Sequence, residues 1–218
     1  MYPLIKKDIL IQKKVVTLAI FMMLFFAVTL SPMGPGATIV GILTVTYMFV
    51  LGASATEDKN KSDIILVSLP IKKQTIVLAK YLSVYVFATY AILLYAIIYF
   101  GVQLLHIPFD MSFTQSGIIS TLFIITVFFA ISFPMIFKYG YLKAKTPNLI
   151  LFFILVFGGT ALVNNLDQLS NWTFIQNTVT FLSERTETQL LLLLLPIAFV
   201  ILVISYFISL RFYQEREF

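Results

Sequence analysis

The run VVTLAIFMMLFFAVTLSPMGPGATIVGILTVTYMFVLGASAT fills residues 15–56 without one Asp, Glu, Lys or Arg. A helical membrane crossing takes about 20 apolar residues, so the run has room for two. Its middle, Ser31-Pro32-Met33-Gly34-Pro35-Gly36, contains two prolines and two glycines. That density ends a helix. The run therefore reads as two helical spans, near 15–30 and 37–55, joined by a tight turn. Its apolar residues are continuous rather than alternating, which excludes a β-barrel reading.

Further charge-free runs extend the pattern. They place spans near 81–105, 116–136, 147–163 and 190–210. Composition agrees: 218 residues are 60% hydrophobic and only 11% charged, against about 25% charged in a soluble domain. The expected fold is all-α, a single polytopic transmembrane domain over 1–218 with six transmembrane helices. A cleaved signal peptide is the rival reading of residues 15–30. No A-x-A-like site follows them, and the apolar core is long for that purpose. Cysteine is absent, so thiol chemistry and disulfides are excluded.

Lysine and arginine orient the bundle. Lys6, Lys7, Lys13 and Lys14 precede the first span. Lys59, Lys61, Lys72, Lys73 and Lys80 lie between the second and third. Lys138, Lys143 and Lys145 lie between the fourth and fifth, and Arg211 and Arg216 follow the sixth. Arg185 stands alone on the other side. Short loops with that bias face the cytoplasm, so both termini are expected there. The net charge of +5 reads as cytoplasmic loops and not as a nucleic-acid surface.

Several chemistries find no residues. Gly36-Ala-Thr-Ile-Val-Gly41 continues with Ile42 and lacks the lysine of a phosphate-binding loop. The single histidine, His106, cannot build a multi-histidine metal site and reads as interfacial. Asp58, Asn60 and Ser62 match the first positions of a calcium loop, but Asp63 replaces its glycine and Leu69 its glutamate. No catalytic residue and no metal site are expected. No charged residue lies deep in a span, which argues against an ion-coupled carrier.

Two segments outside the spans are patterned. Residues 1–14 fit an amphipathic interfacial helix, with Leu4, Ile5, Ile9 and Gln12 on one face and lysines around it. Residues 56–80 form the largest loop on the lysine-rich side. Ser62 and Asp63 can cap a short helix through Ser68. Pro70 turns the chain, and a second helix starts near Ile71 or Lys72. An apolar group of Ile64, Leu66, Val67 and Leu69 on a charged rim fits a partner-docking surface. Packing of that group on its own bundle is the alternative.

Glu57-Asp58-Lys59-Asn60-Lys61-Ser62, then Ser68-Leu69-Pro70-Ile71-Lys72-Lys73, then Ile76-Val77-x-Ala79-Lys80-Tyr81-Leu82 resemble the ABC-2 type transporter permeases. The likeness is to the small bacterial branch that includes exporters of phenol-soluble modulins. Topology carries it over the whole chain; the specific residues fall within 57–82. The resemblance implies a coupling helix at about Asn60–Leu69, seated on a separate cytoplasmic P-loop ATPase subunit. Glu57 and Asp58 would stand at its entry, with Asn60, Asp63, Ile64, Leu66, Val67 and Leu69 in contact. ATP and magnesium would belong to that partner, none to this chain, which would not be catalytic alone. A second copy or a sibling permease would complete the transporter in a bacterial plasma membrane. An ATP-independent sensor or assembly factor is the alternative, with an ion-coupled carrier behind it.

The expected substrate is hydrophobic or amphipathic, with a small peptide among the candidates. Tyr81, Tyr85, Ala88, Ile92, Tyr95 and Tyr99 share one helical stripe. They could line a path through Tyr85 and Tyr95, and Thr44 and Thr46 of the second span could add to it or bond helices together. The tyrosines could equally mark the two membrane interfaces. The segment 164–189 is aromatic and long for a turn. Short helices dipping into the interface are expected there, and the resemblance implies a re-entrant hairpin.

Overall fold

The computed structural model describes residues 1–31, 34–62, 66, 68, 70–107, 111–164 and 187–216. Seven helices carry them: α1 (Tyr2–Ile11), α2 (Lys13–Thr29), α3 (Pro35–Lys59), α4 (Lys73–Leu104), α5 (Gln115–Tyr139), α6 (Tyr141–Asn164) and α7 (Glu187–Glu215). No strand occurs among the described residues. Helices α3 to α7 are each long and apolar enough to cross a membrane; a sixth crossing forms if α1 and α2, bent by 70°, count as one. With 17 residues, α2 alone reaches about 25 Å at 1.5 Å per residue.

The helices outrun the charge-free segments that locate them. The third span, expected from 81, begins at Lys73 as α4; the second continues past 55 to Lys59. Charge counting marks the part of a helix that hydrocarbon can hold. The helix itself goes on for as long as neighbouring helices support it. The break between α2 and α3 falls where the prolines and glycines place it. Gly34 takes φ +56° and ψ −127°, and Pro35 opens α3, a position where its missing N–H costs nothing. The expected helix between Ser62 and Ser68 and the hairpin at 164–189 lie largely outside the described residues.

Helix α3 is the centre, flanked by α2, α4, α5 and α6. Its Phe49 stacks on Phe87 of α4 at 5.3 Å between ring centroids. Lipid is as apolar as leucine, so burying apolar surface does not drive these helices together; close packing and buried hydrogen bonds do. The contact of α5 with α7 shows one such bond. Pro134 inside α5 has no N–H to give the carbonyl four residues back, that of Ala130. Ser205 of α7 donates its hydroxyl to that carbonyl at 2.6 Å. Tyr81 of α4 then joins Ser205 at 2.6 Å and Ser209 at 2.8 Å. One freed carbonyl thus organises three helices.

Helix α1 divides its faces differently from the sequence reading. Leu4 packs against the core, and Asp8 and Gln12 are buried at 3% and 2% exposure. Tyr2, Ile9 and Leu10 are the exposed apolar residues. Spacings of four put Leu4, Asp8 and Gln12 on one stripe, and that stripe faces the protein.

Candidate coupling site

The segment between α3 and α4 is held at both ends. At its entry, Glu57 lies on the last turn-and-a-half of α3. At its exit, Lys80 lies two turns into α4. Lys80 Nζ is 2.5 Å from Glu57 Oε2 and 3.3 Å from Asp8 Oδ2. Lys7 pairs with Glu57 and lies 3.6 Å from Asp8 Oδ1. The side chains of Asp8, Glu57 and Lys80 are 4%, 6% and 13% exposed. Two carboxylates and two ammonium groups from three helices make a neutral cluster. Neutrality matters here, because an unpaired buried ion costs several kcal/mol. Beside the cluster is a cavity of about 40 Å³, lined also by Leu66, Tyr213 and Arg216. Its wall is largely apolar but includes the charged groups of the cluster, and it is large enough for a water molecule.

Three more contacts gather the helix ends around this cluster. Asp58 Oδ2 accepts the backbone N–H of Leu142 at 3.2 Å, so α3 caps the start of α6, where the first N–H groups have no intrahelical acceptor. Lys73 Nζ donates to the carbonyls of Gln214 and Tyr213 at 3.2 and 3.5 Å. These are end-of-helix acceptors on α7, and the negative end of that helix favours the lysine. Lys138 at the end of α5 stands 4.8 Å over the Phe212 ring. The helix ends that carry Lys7, Lys73, Lys80 and Lys138 therefore meet at one end of the bundle.

The residues expected to couple separate into distinct positions. Glu57 is buried in the ion cluster, and Asp58 caps α6. Asn60 is exposed beyond the end of α3, where its N–H reaches the carbonyl of Thr56 at 3.0 Å. Leu66 is 7% exposed and belongs to the bundle's own core. Asp63, Ile64, Val67 and Leu69 lie outside the described residues. Among the described residues of the segment, Lys59, Asn60, Lys61, Ser68, Pro70 and Lys72 are exposed.

The residues expected along a path also part company. Tyr85 OH bonds Thr126 Oγ1 at 2.9 Å and lines an apolar cavity of about 240 Å³. Tyr95 is 1% exposed and sits 3.0 Å from Thr38 Oγ1 and 3.3 Å from the Ser112 carbonyl. Thr44 and Thr46 donate to the carbonyls of Val40 and Ile42, four residues back on their own helix, a local bond that leaves no donor for a path.

Sequence reasoning passed over Asp8, Ser205 and Ser209, and it named Lys7, Lys80 and Tyr81 without foreseeing these contacts. Asp8 carried a signal: it is the lone acid among the first fourteen residues, spaced by four from Leu4 and Gln12. The serines carried none, since hydroxyls are common in membrane helices.

No curated protein and no solved structure matches the chain. One family model does, over residues 3–214, which takes in α1, the tied segment and every crossing. The chain belongs to the ABC-2 family transporter proteins and is a multi-pass protein of the cell membrane.

Proposed function

We propose that this permease couples a separate cytoplasmic P-loop ATPase to export of a hydrophobic or amphipathic substrate, with small peptides as the first class to test. The carrying observation is the double anchorage of the segment 57–80. Its entry is tied to α1, α4 and α6 through Glu57 and Asp58, and its exit to α1 and α7 through Lys80 and Lys73. A displacement of this segment therefore loads four helices together. An ATPase whose nucleotide states hold the segment in different places would shift the bundle between conformations by that difference.

The exposed Lys59, Asn60 and Lys61 would face the ATPase and set its register. Leu66 would root the segment in the bundle. ATP and magnesium would bind the partner alone. A second copy or a sibling permease would complete the transporter.

The test is co-purification with the ATPase encoded beside this chain, together with ATPase activity in proteoliposomes. Coupling predicts a stable complex whose hydrolysis rate changes on addition of an exported peptide. A complex that forms but hydrolyses ATP at the same rate with and without the permease would favour a static anchor and end the proposal.

A further inference from the structure

Helices α5 and α7 touch closely where Ser205 bonds the Ala130 carbonyl at 2.6 Å. Toward the end of the bundle remote from the ion cluster, they leave an apolar cavity of about 240 Å³ between them and α4. Leu122 and Phe123 of α5 form one wall, Ala198 and Phe199 of α7 the other, and Tyr85 of α4 lies with Thr126 among the lining residues. We propose that this groove is a lipid site that holds one acyl chain of a membrane phospholipid.

Three observations select that occupant. No charged side chain lines the groove, and an apolar cavity does not hold water. The one polar pair, Tyr85 with Thr126, is closed on itself at 2.9 Å. A peptide backbone within the membrane needs partners for its N–H and C=O groups, and this lining gives it none beyond that pair, whereas an alkyl chain needs none. The α7 wall is also open to the bilayer: Leu195 is 60% and Phe199 68% exposed. Entry is therefore sideways from the membrane, and the chain wedges α5 and α7 apart above their serine contact. This site stands apart from the coupling segment and does not rest on the coupling proposal.

Photolabelling tests it. The full-length protein is reconstituted in phosphatidylcholine vesicles whose acyl chains carry a diazirine. Light expels dinitrogen, and the carbene inserts into a nearby C–H bond. Peptide mass spectrometry then locates the adducts. The expected result is labelling at Phe123 several-fold above that at Phe207, a residue of α7 that is 62% exposed and outside the groove. Ala198→Phe and, on the opposite wall, Leu122→Phe fill the groove and remove the excess at Phe123 while Phe207 stays labelled. Labelling at Phe207 also reports that each variant is folded in the membrane. Equal labelling of Phe123 and Phe207 in the unmodified protein, or an excess at Phe123 that survives both substitutions, overturns the proposal. So does suppression of the Phe123 signal by an apolar peptide, which would make the groove a substrate site.

Discussion

Lys80 Nζ lies 2.5 Å from Glu57 Oε2, so the two ends of the segment joining α3 and α4 are pinned to each other at the same point where both meet α1. This one contact converts a loop into a closed unit. Asp8 and Lys7 complete its charge balance from a helix that the loop does not contain.

Removing Lys80 leaves two buried carboxylates to share Lys7, whereas removing Glu57 leaves Lys80 on Asp8 and lets Lys7, the more exposed ammonium at 31%, turn to solvent. Loss of one partner from a buried pair costs about 3–5 kcal/mol. Lys80→Met is expected to lower the thermal melting point in detergent strongly, and Glu57→Gln much less, since Lys80 keeps Asp8. Combining Lys80→Met with Asp8→Asn and Glu57→Gln recovers part of the loss. Equal damage from the two single substitutions would show that the cluster is not what holds these helices.

Gly140 separates α5 from α6 at φ +79° and ψ 164°, a region that side chains disfavour. A Cβ there would also come within 3.0 Å of the Arg216 guanidinium. Gly140→Ala should cost about 1–3 kcal/mol, read as a fall in melting temperature. Asp58→Ala next to it removes the cap on α6, at about 1 kcal/mol, and Asp58→Asn retains most of it.

Ser205 and Ser209 both contact Tyr81, but only Ser205 also satisfies the carbonyl that Pro134 frees. Ser205→Ala is expected to destabilise by about 1 kcal/mol and Ser209→Ala by less. Pro134→Ala restores an N–H to α5 and should relieve the Ser205→Ala defect. A double variant no more stable than Ser205→Ala would contradict this account of the α5–α7 contact.

Lys59 and Lys61 are exposed and have no part in the ion cluster. Reversing both to glutamate should leave the stability within about 0.5 kcal/mol of wild type, as for other surface changes. Under the coupling proposal it should weaken binding of the ATPase and reduce its response to substrate. Retained binding and response would place the docking surface elsewhere.

The membrane character of the chain and its all-helical build were legible without coordinates. Each depends on a property of a single segment: whether hydrocarbon tolerates it. The break at Ser31–Gly36 was legible for the same reason, because proline and glycine act locally. Glu57 shows where such reading stops. The sequence placed it at the entry of the segment without naming a partner, and the structure pairs it with Lys7 and Lys80. Thr46 shows the same limit within a span, since its hydroxyl closes on the Ile42 carbonyl of its own helix and not on a neighbour.

What the sequence by itself determined is therefore an all-helical membrane protein and a charged segment at 57–80 unlike the rest. Only the tertiary structure decided that Asp8, a lone acid near the start, meets Lys80, and that Leu66 is rooted in the bundle. Those outcomes depend on how the helices are rotated about their axes. In lipid, where apolar faces are nearly interchangeable, that rotation is set by a few polar contacts between residues far apart in the chain.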